Sequence, residues 1–298
     1  MNGAVEVACW CDEEGHFGHF LGSRSYVGQV SEADIDAARD RTSGRTMRDA
    51  LAEMGLAGRS RITAEPGRHV GYLEAHIEQG DTLESGRLAI GVVTSIVGIW
   101  QYQINFAGEQ NHAGTTRMAV RKDAGLALAK FCVAIDQRFP AVCGPRTVWT
   151  TGRITLDPGA PSIIPGAAEM LFQIRDDDPA VIARLEQLLR TMAAEASANG
   201  PCSVTVEKLR TGAPAMMNSA FQDAIEAAGK AVAGGRSIRM PSGAGHDAQM
   251  LATVMPAGML FVPSIGGISH HWTENTSDAD IITGAEVFVE ACRRILGS

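Results

Sequence analysis

The sequence lacks the features that mark nucleic-acid-binding, membrane and secreted proteins. Basic residues are outnumbered, with 26 Lys and Arg against 34 Asp and Glu, and the net charge of −8 disfavours a nucleic-acid partner. No apolar run approaches the ~20 residues of a membrane span. Residues 1–11 contain neither the basic region nor the apolar segment of a signal peptide. The sequence therefore predicts a protein that binds neither nucleic acid nor a membrane.

Cysteines are few and are spaced too irregularly for a structural zinc site. The six are Cys9, Cys11, Cys132, Cys143, Cys202 and Cys292, and no two of them form a Cys-x-x-Cys motif. Scattered thiols in a long chain are typical of a reducing compartment. We therefore predict a cytoplasmic protein with reduced cysteines.

Length and pattern predict two domains. The chain has 298 residues, of which 45% are hydrophobic, enough for two domains or for one domain with an insertion. Between residues 97 and 211 the predicted order is strand, helix, strand, strand, helix, strand, which is typical of an α+β unit of the split βαβ kind. The flanking residues, 1–96 and 212–298, show strands and helices. We predict an α/β protein in which a discontinuous domain carries an inserted α+β domain.

One predicted strand has an unusual polar face. From Gly71 to Gly80 apolar and polar residues alternate, a period of two that predicts a β-strand. Glu74, His76 and Glu78 then lie on one face of that strand. Two interpretations follow: an edge strand with one solvated face, or a strand that presents His76 as a metal ligand at its tip. Partners elsewhere in the chain must decide between them.

A pair of adjacent glutamates follows another predicted strand. Val5–Trp10 is apolar except for Glu6 and predicts a buried strand, which runs into the acidic turn Asp12–Gly15. Ligands of open α/β sheets collect at the carboxyl ends of strands. A solvated acidic turn is the alternative. If the turn belongs to a site, one of Glu13 and Glu14 can bind a metal ion while the other takes a proton from water.

Several polar positions share a location in glycine-containing turns or at strand ends. They are Glu13 with Glu14, His76, His112, His246 with Asp247, and His270. A single histidine of this kind is more often structural than a ligand, but several in one acidic α/β chain favour a common site. Histidine and carboxylate ligands without cysteine suit zinc, manganese or cobalt in a hydrolytic centre.

Six motifs, in this order along the chain, resemble those of one enzyme group. They are Asp12–Gly15, His76–Gly80, Asn111–Thr116, Ile164–Gly166, Ser242–Ala248 and Ser269–His270. Together they resemble the N-carbamoyl-L-amino-acid hydrolase, allantoate amidohydrolase and β-ureidopropionase group of the aminoacylase-like di-zinc amidohydrolases. The resemblance implies a discontinuous di-zinc aminopeptidase-like catalytic domain, residues 1–96 and 212–298. It also implies an inserted α+β lid, residues 97–211, that forms a homodimer.

The resemblance also implies the chemistry of the site. Glu14, His76 and His270 would bind metal, zinc or manganese, of which the group holds two ions. Glu13 would act as the general base. His112, on the lid, would help to stabilise the tetrahedral oxyanion and would reach the site of the other subunit.

The same resemblance implies how a small substrate with a carboxylate would bind. Gln79 and Arg175 would contact the substrate, with the Arg175 guanidinium taking the carboxylate as a fork. Ser162 stands where relatives usually carry an asparagine that contacts the substrate. The turn that contains Gly245 and His246 would line the pocket with backbone groups.

The chain also departs from the group's pattern. Arg117 replaces a usual proline, and His16-Phe17 replaces a usual Ser-Arg pair. The group's first histidine ligand and its metal-bridging aspartate come from a segment upstream of the glutamate pair, so we expect the catalytic domain to be N-terminally incomplete. With three of about five ligands, we expect at most one weakly bound ion, at Glu14 and His270, and little turnover.

These observations predict a metal-dependent hydrolase of linear amide or ureido C–N bonds, with an N-carbamoyl-L-amino-acid or allantoate-like substrate. An aminoacylase or dipeptidase activity is the alternative among enzymes. From a different class, the alternative is an inactive dimeric remnant that keeps the fold without a competent metal centre. Metal content per chain distinguishes these alternatives.

Overall fold

The computed structural model describes residues 3–297, and the chain divides into two compact units. Met1–Ile96 together with Ala215–Ser298 form the first unit, and Val97–Pro214 form the inserted unit. The sequence pattern ends the insertion at residue 211, a little before the boundary in the structure. In the structure the last long strand of the inserted unit runs to Gly212, and the division falls after Pro214.

Strands and helices follow one another in chain order through the described residues. The strands are β1 (Tyr72–Ile77), β2 (Ile90–Ile96), β3 (Gly98–Ala107), β4 (Asn111–His112), β5 (Val148–Asp157), β6 (Ile163–Ile164), β7 (Ala167–Asp176), β8 (Ser203–Gly212), β9 (Ala215–Met216), β10 (Ser237–Ser242) and β11 (Ala257–Val262). The α-helices are α1 (Leu21–Tyr26), α2 (Glu32–Ala37), α3 (Met47–Glu53), α4 (Thr82–Ser85), α5 (Ala124–Arg138), α6 (Pro179–Asn199), α7 (Ser219–Val232), α8 (Asp247–Leu251) and α9 (Asp278–Ile295). Short 3-10 helices cover Met118–Val120, Phe139–Ala141 and Ile265–Gly267. None of the helices described has the length and apolar character needed to cross a membrane.

The first unit is built on a mixed sheet with helices on both faces. Its strands lie in the order β1-β11-β2-β10, with the short β9 paired to β2. β1 is parallel to β11 and β10 is parallel to β2, whereas β11 and β2 are antiparallel. Side chains of α7 and α9 pack on one face, around Leu260, and side chains of α4 and α8 pack on the other, around Phe261. This arrangement confirms the predicted α/β fold class.

Polar side chains cap the helices where the sequence indicates. The Ser31 hydroxyl accepts the Asp34 N–H at 3.1 Å while the Asp34 carboxylate accepts the Ser31 N–H at 2.8 Å, which closes a capping box on α2. Asp178 caps α6 by accepting the Ala180 N–H at 2.8 Å, with Pro179 in the first turn. These caps satisfy amide groups that have no partner within the helix.

The predicted strand at Val5–Trp10 is wrong. These residues have no strand conformation, and Val7 is 93% exposed to solvent. A short apolar run forms a strand only where another strand offers it hydrogen bonds. Side chains hold the segment instead: the Glu6 carboxylate lies 2.6 and 2.7 Å from Arg68 and His69, and the Trp10 indole N–H donates to the Tyr72 hydroxyl at 3.0 Å. The acidic turn therefore follows an irregular segment that side-chain contacts hold in place, and not a strand.

The inserted unit contains a four-stranded antiparallel sheet with both of its helices on one face. The strand order is β5-β7-β3-β8, and a separate two-stranded ladder joins β4 to β6. Ile104, Met170 and Phe172 of the sheet are buried against Phe131 of α5 and Leu185 of α6. Burial of each such side chain contributes about 1.5–3 kcal/mol. The helices thus fix which face of the sheet is core and which face carries polar residues.

Candidate active site

The turn that carries Glu13 and Glu14 is folded by Asp12. The Asp12 carboxylate accepts three successive backbone N–H groups, those of residues 16–18, at 2.5, 2.8 and 3.0 Å. Asp12 has a φ of 59° and Gly15 a φ of 79°, the left-handed region that glycine and aspartate tolerate best. The chain therefore reverses direction at the two glutamates, and a carboxylate holds that turn together.

Glu13 is half-buried, and its pKa is raised to about 7. Burial is the main cause, because a charged carboxylate loses its hydration, and the negative charges of Glu14 and Asp247 add to the effect. A carboxyl group with a pKa near neutrality can accept a proton and return it within one reaction cycle. The environment of Glu13 thus suits a proton shuttle.

Glu14 and His270 meet although they come from opposite ends of the chain. The Glu14 Oε1 atom is 3.8 Å from His270 Nε2, and both side chains are exposed. His270 has a φ of 55°, and its backbone N–H donates to the Glu274 carboxylate at 3.0 Å. The loop before α9 is therefore bent at His270, and the bend accompanies the approach of the imidazole to Glu14.

His76 is half-buried on β1, and one of its ring nitrogens is already engaged. Its Nδ1 atom lies 2.8 Å from the Ile77 carbonyl oxygen, which can only accept a hydrogen bond. The proton of the neutral ring is therefore on Nδ1, and Nε2 keeps a lone pair. Metal-binding histidines commonly have this arrangement, because the second hydrogen bond fixes the ring and its tautomer. His76 Nε2 is thus prepared to act as a ligand atom.

His246 packs against His76 and is 1% exposed. The two ring centroids are 4.5 Å apart, and His246 Nε2 lies 2.8 Å from the Ser242 hydroxyl. Burial, with a smaller contribution from the neighbouring His76, holds the pKa of His246 well below its ordinary value, so the ring is neutral. Any contact of His246 with a substrate would therefore be made by its backbone. Gly245 is needed for packing, since a Cβ there would lie 2.8 Å from the Phe20 ring.

Glu74 joins three segments around His76, a role that no sequence pattern assigned to it. The buried Glu74 carboxylate accepts the Tyr72 hydroxyl at 3.0 Å and the Ala248 N–H at 2.8 Å. The Tyr72 hydroxyl in turn accepts the Trp10 indole N–H. Burial raises the pKa of Glu74 to about 7. β1 lies at the edge of its sheet, as one of the two interpretations has it, but the Glu74 side chain is only 13% exposed and is hydrogen-bonded, so this face is largely covered at Glu74.

Gln79 is held by its backbone directly after β1. It has a φ of 58°, and its N–H donates to the Ser264 hydroxyl at 3.0 Å. The preceding Glu78 carboxylate accepts the N–H groups of Thr82 and Leu83 at 2.9 and 2.8 Å and so caps α4. Glu78 is thus structural, whereas the Gln79 side chain follows a fixed turn.

The donor atoms of the first unit suit zinc or manganese in kind. His76 Nε2 has its lone pair, and Glu14 with His270 supplies an oxygen and a nitrogen 3.8 Å apart. Between residues 3 and 297, however, no three His, Cys, Asp or Glu residues gather closely enough to hold one ion. The chemistry of these residues therefore fits a metal centre. Glu14 and His270 form one pair of donors, and His76 is a single donor apart from them.

In the inserted unit, His112 lies in an exposed turn that fixes its tautomer. Its Nδ1 atom accepts the backbone N–H groups of Gly114 and Thr115 at 3.0 and 3.2 Å. Nδ1 therefore carries no proton, and the neutral ring has its N–H at Nε2. Such an N–H can donate a hydrogen bond to an oxygen that becomes negatively charged during a reaction.

Arg121 braces the His112 turn. Its Nε and Nη2 donate to the carbonyl oxygens of Thr116 and Ala113 at 3.0 and 2.6 Å. The Ala113 N–H donates to the Ser162 carbonyl at 3.0 Å, so the turn is held from two sides and the exposed Ser162 lies beside it. Nothing in the local sequence indicates this role of Arg121, because both acceptors are main-chain carbonyls that any residue supplies.

Arg175 is half-buried on β7, and its guanidinium is oriented by a neighbour on the same strand. Its Nε–H donates to the Gln173 side-chain oxygen at 2.6 Å. Burial lowers the pKa of Arg175, and the positive charge of Arg210 acts in the same direction. The group remains charged, since the ordinary pKa of arginine is far above neutrality. An oriented guanidinium of this kind suits a carboxylate.

Known proteins resemble this chain along almost its whole length. A model of the peptidase family M20/M25/M40 matches residues 1–294. An N-carbamoyl-L-amino acid amidohydrolase from Geobacillus stearothermophilus is 33% identical over 288 residues, which is 95% of this chain and 69% of that protein. An allantoate amidohydrolase from Bacillus subtilis (strain 168) is 35% identical over 305 residues, with 96% and 69% covered. The crystal structure of an amidase of the hydantoinase/carbamoylase family from Burkholderia phymatum is 44% identical, with a TM-score of 0.86 and coverage of 98% and 70%.

Proposed function

Because the chain belongs to the peptidase family M20/M25/M40, we propose that it is a metal-dependent amidohydrolase of linear ureido or amide C–N bonds. The observation that carries this proposal is the half-buried Glu13, with a pKa of about 7, next to the Glu14–His270 pair. The N-carbamoyl-L-amino acid and allantoate amidohydrolases among its relatives support the substrate class. We therefore propose a small ureido substrate that carries a carboxylate.

In this proposal Glu13 moves the proton of the reaction. As a carboxylate it accepts a proton from the attacking water, and as a carboxylic acid it returns the proton to the leaving nitrogen. The ureido C–N bond breaks, and the carbamic acid half decomposes to carbon dioxide and ammonia. The burial that raises the pKa of Glu13 makes both protonation states accessible near neutral pH.

Glu14, His76 and His270 would hold the metal. We propose zinc or manganese, because imidazole nitrogen and carboxylate oxygen suit both ions. A bound divalent ion makes water more acidic and polarises a carbonyl oxygen. Within the protein, the hydrogen bond from His76 Nδ1 directs the Nε2 lone pair, and the 3.8 Å approach of Glu14 to His270 brings two donor atoms together.

Polar groups outside this cluster would bind the substrate. The Nε2–H of His112 would donate to the carbonyl oxygen as negative charge develops there. Arg175 would take the substrate carboxylate through paired N–H···O bonds. Gln79 and Ser162 would add neutral hydrogen bonds, which fix orientation more than they add affinity.

We propose that the first unit is catalytic and that the inserted unit is a lid that forms a homodimer. The edge strand β5 exposes Val148, Ile154 and Leu156, and α5 exposes Leu126 and Val133. An edge strand with apolar side chains offers unpaired backbone groups and apolar area to a second copy of the chain. Symmetric dimers are the commonest assemblies of soluble proteins.

Light scattering at micromolar concentration is therefore expected to give the mass of two chains. Val133→Glu, which places a charge on the exposed surface of α5, should shift the mass toward one chain. The matched control is Val254→Glu in the first unit, where the side chain is also exposed and the mass should not change. A wild-type mass of one chain would contradict the homodimer.

We also propose that the protein works in the cytoplasm. All six cysteines are unpaired in the structure. Unpaired thiols are compatible with a reducing compartment, where disulfides are rare. Fractionation with antibodies against the protein would test this, and recovery from the periplasm or medium would contradict it.

A substrate panel tests the proposed activity. With added Zn²⁺ or Mn²⁺ the chain is expected to release ammonia slowly, as three ligands in place of about five allow, from N-carbamoyl-L-amino acids, N-carbamoyl-β-alanine or allantoate. It should act far more slowly on N-acetyl amino acids and dipeptides. A chelator should stop the release, and added metal should restore it. Faster cleavage of N-acetyl amino acids or dipeptides would support an aminoacylase or dipeptidase instead. No cleavage of any compound by the metal-loaded chain would support an inactive dimer.

A further inference from the structure

One face of the inserted unit's sheet carries polar side chains opposite the helices. Along β7, buried residues alternate with half-exposed ones, so Gln173 and Arg175 lie on the face away from α5 and α6. Gln101 of β3 is directly opposite Gln173 and shares that face. We call it the Arg175 face. Gln101 and Gln173 give this face hydrogen-bonding groups two residues from Arg175, whose directly opposite neighbours are the apolar Ile99 and Val148.

A β-bulge places Arg210 on the Arg175 face. Lys208 of β8 points to the helix side, where its ammonium lies 3.9 Å from the Trp100 ring centroid and 2.5 Å from the Glu186 carboxylate. Regular alternation would put Arg210 on that same side. The register of β8 against β3 shifts at this point, so that Lys208 is opposite Tyr102 but Arg210 is opposite Gln101. The bulge therefore turns Arg210 to the other face, as bulges beside functional sites commonly do.

Arg175 and Arg210 thus lie on one face with one strand between them. Arg175 is opposite Ile99 on β3, and Arg210 is opposite Gln101, two residues further along. Two strand spacings and two residues of rise separate their Cα atoms by roughly 12 Å. The partner of Ile99 on β8 is Gly212, so β8 adds no side chain at the level of Arg175. Two long arginine side chains can reach toward each other across that gap.

The positive charge of Arg210 acts on Arg175 across this face. The pKa of Arg175 is lowered by burial and by the charge of Arg210, and both causes disfavour its charged form. A carboxylate bound at each guanidinium would remove this repulsion and would add charge-assisted hydrogen bonds. The Arg175 guanidinium is oriented for this by its hydrogen bond to Gln173.

We propose that Arg210 forms a second anion subsite beside Arg175, and that the preferred substrates carry two carboxylates, as N-carbamoyl derivatives of dicarboxylic amino acids do. This inference rests on the proposed function, in which Arg175 takes the α-carboxylate. Arg210 then takes the side-chain carboxylate and sets specificity. A neutral side chain of the same shape leaves the second guanidinium without its anion and binds less tightly.

Calorimetric titration with two ligands of matched shape tests the subsite. N-carbamoyl-L-aspartate and N-carbamoyl-L-asparagine differ only in the second carboxylate. The wild-type chain is expected to bind the aspartate compound about tenfold more tightly, as a charge-assisted hydrogen bond allows. Arg210→Gln should remove that difference without weakening the asparagine compound. Arg175→Gln should weaken both.

The matched control is Arg153→Gln, which makes the same charge change on the same face. Arg153 is opposite Leu171 and is paired with Glu169 at 2.5 Å, so its loss should leave both affinities within about twofold. Equal wild-type affinities, or no binding of either compound, would overturn the subsite. Equal weakening of both compounds by Arg210→Gln would also overturn it and would mean that both arginines share one carboxylate. Ammonia release from N-carbamoyl-L-alanine tests the proposed function separately.

Discussion

Replacing Glu13 with glutamine is expected to lower kcat on N-carbamoyl amino acids by about two to four orders of magnitude. The glutamine amide keeps the shape of the side chain but cannot accept the proton of water. The fold should not suffer, because burial already disfavours the charged form of Glu13, whose pKa is raised to about 7. Steady-state kinetics give the effect, with melting temperature and metal content measured on the same samples.

Glu65→Gln is the matched control for this experiment. Glu65 is exposed and its side chain forms a 3.6 Å ion pair with Arg68, so the same chemical change there should leave kcat unchanged. A Glu13→Gln protein that keeps more than about a tenth of the wild-type kcat, with normal folding, would contradict the proton-transfer role.

Loss of the His76 imidazole is expected to weaken zinc or manganese binding by at least about tenfold and to lower turnover in parallel. The reason is the fixed tautomer: Nδ1 donates to the Ile77 carbonyl at 2.8 Å, so Nε2 is the atom available to a metal. The measurement is competition for the ion between the protein and a chromophoric chelator, with wild-type and His76→Ala chains. Overall affinity should be modest in both, since no three metal-binding side chains gather among residues 3–297.

His271→Ala serves as the comparison for His76→Ala. His271 is exposed and its Nδ1 lies 2.8 Å from the Thr273 hydroxyl, so it is a histidine next to His270 that lies outside the proposed ligand set. Its loss should change metal affinity by less than about twofold. If His76→Ala and His271→Ala bind the ion equally well, His76 is not a ligand.

Helix positions could be predicted from the sequence because their signals are local. α7 covers Ser219–Val232 and begins directly after Asn218, whose side chain accepts the Phe221 N–H at 3.2 Å. The same holds for α6, which starts at Pro179 after the Asp178 cap. Such signals act within one turn and need no knowledge of the rest of the fold.

Strands were less predictable because pairing decides them. Val5–Trp10 has the composition of a buried strand and is an exposed irregular segment. Ser237–Ser242 has few apolar residues and contains a proline, yet it forms β10 alongside β2. In both places the availability of a neighbouring strand, not the local sequence, determines whether a β-ladder forms.

The candidate site was likewise only partly predictable from the sequence. The resemblance placed Glu14 with His270 as ligands, and the structure brings their side chains to 3.8 Å. Glu74 and Arg121 could not be assigned roles from the sequence, because the contacts by which they join distant segments are made to backbone groups that any residue carries. The sequence also could not show on which face of the sheet Arg210 lies, because a β-bulge interrupts the regular alternation of side chains along β8.

Product stoichiometry is the most direct test of amidohydrolase chemistry in this chain. The metal-loaded protein is incubated with an N-carbamoyl-L-amino acid, and ammonia, carbon dioxide and the free amino acid are measured in one reaction. Cleavage of the ureido C–N bond predicts one of each per substrate consumed, and none after the metal is removed by a chelator. Metal-loaded protein that leaves every N-carbamoyl amino acid and allantoate intact, or that releases the amino acid without ammonia, would contradict the proposed function.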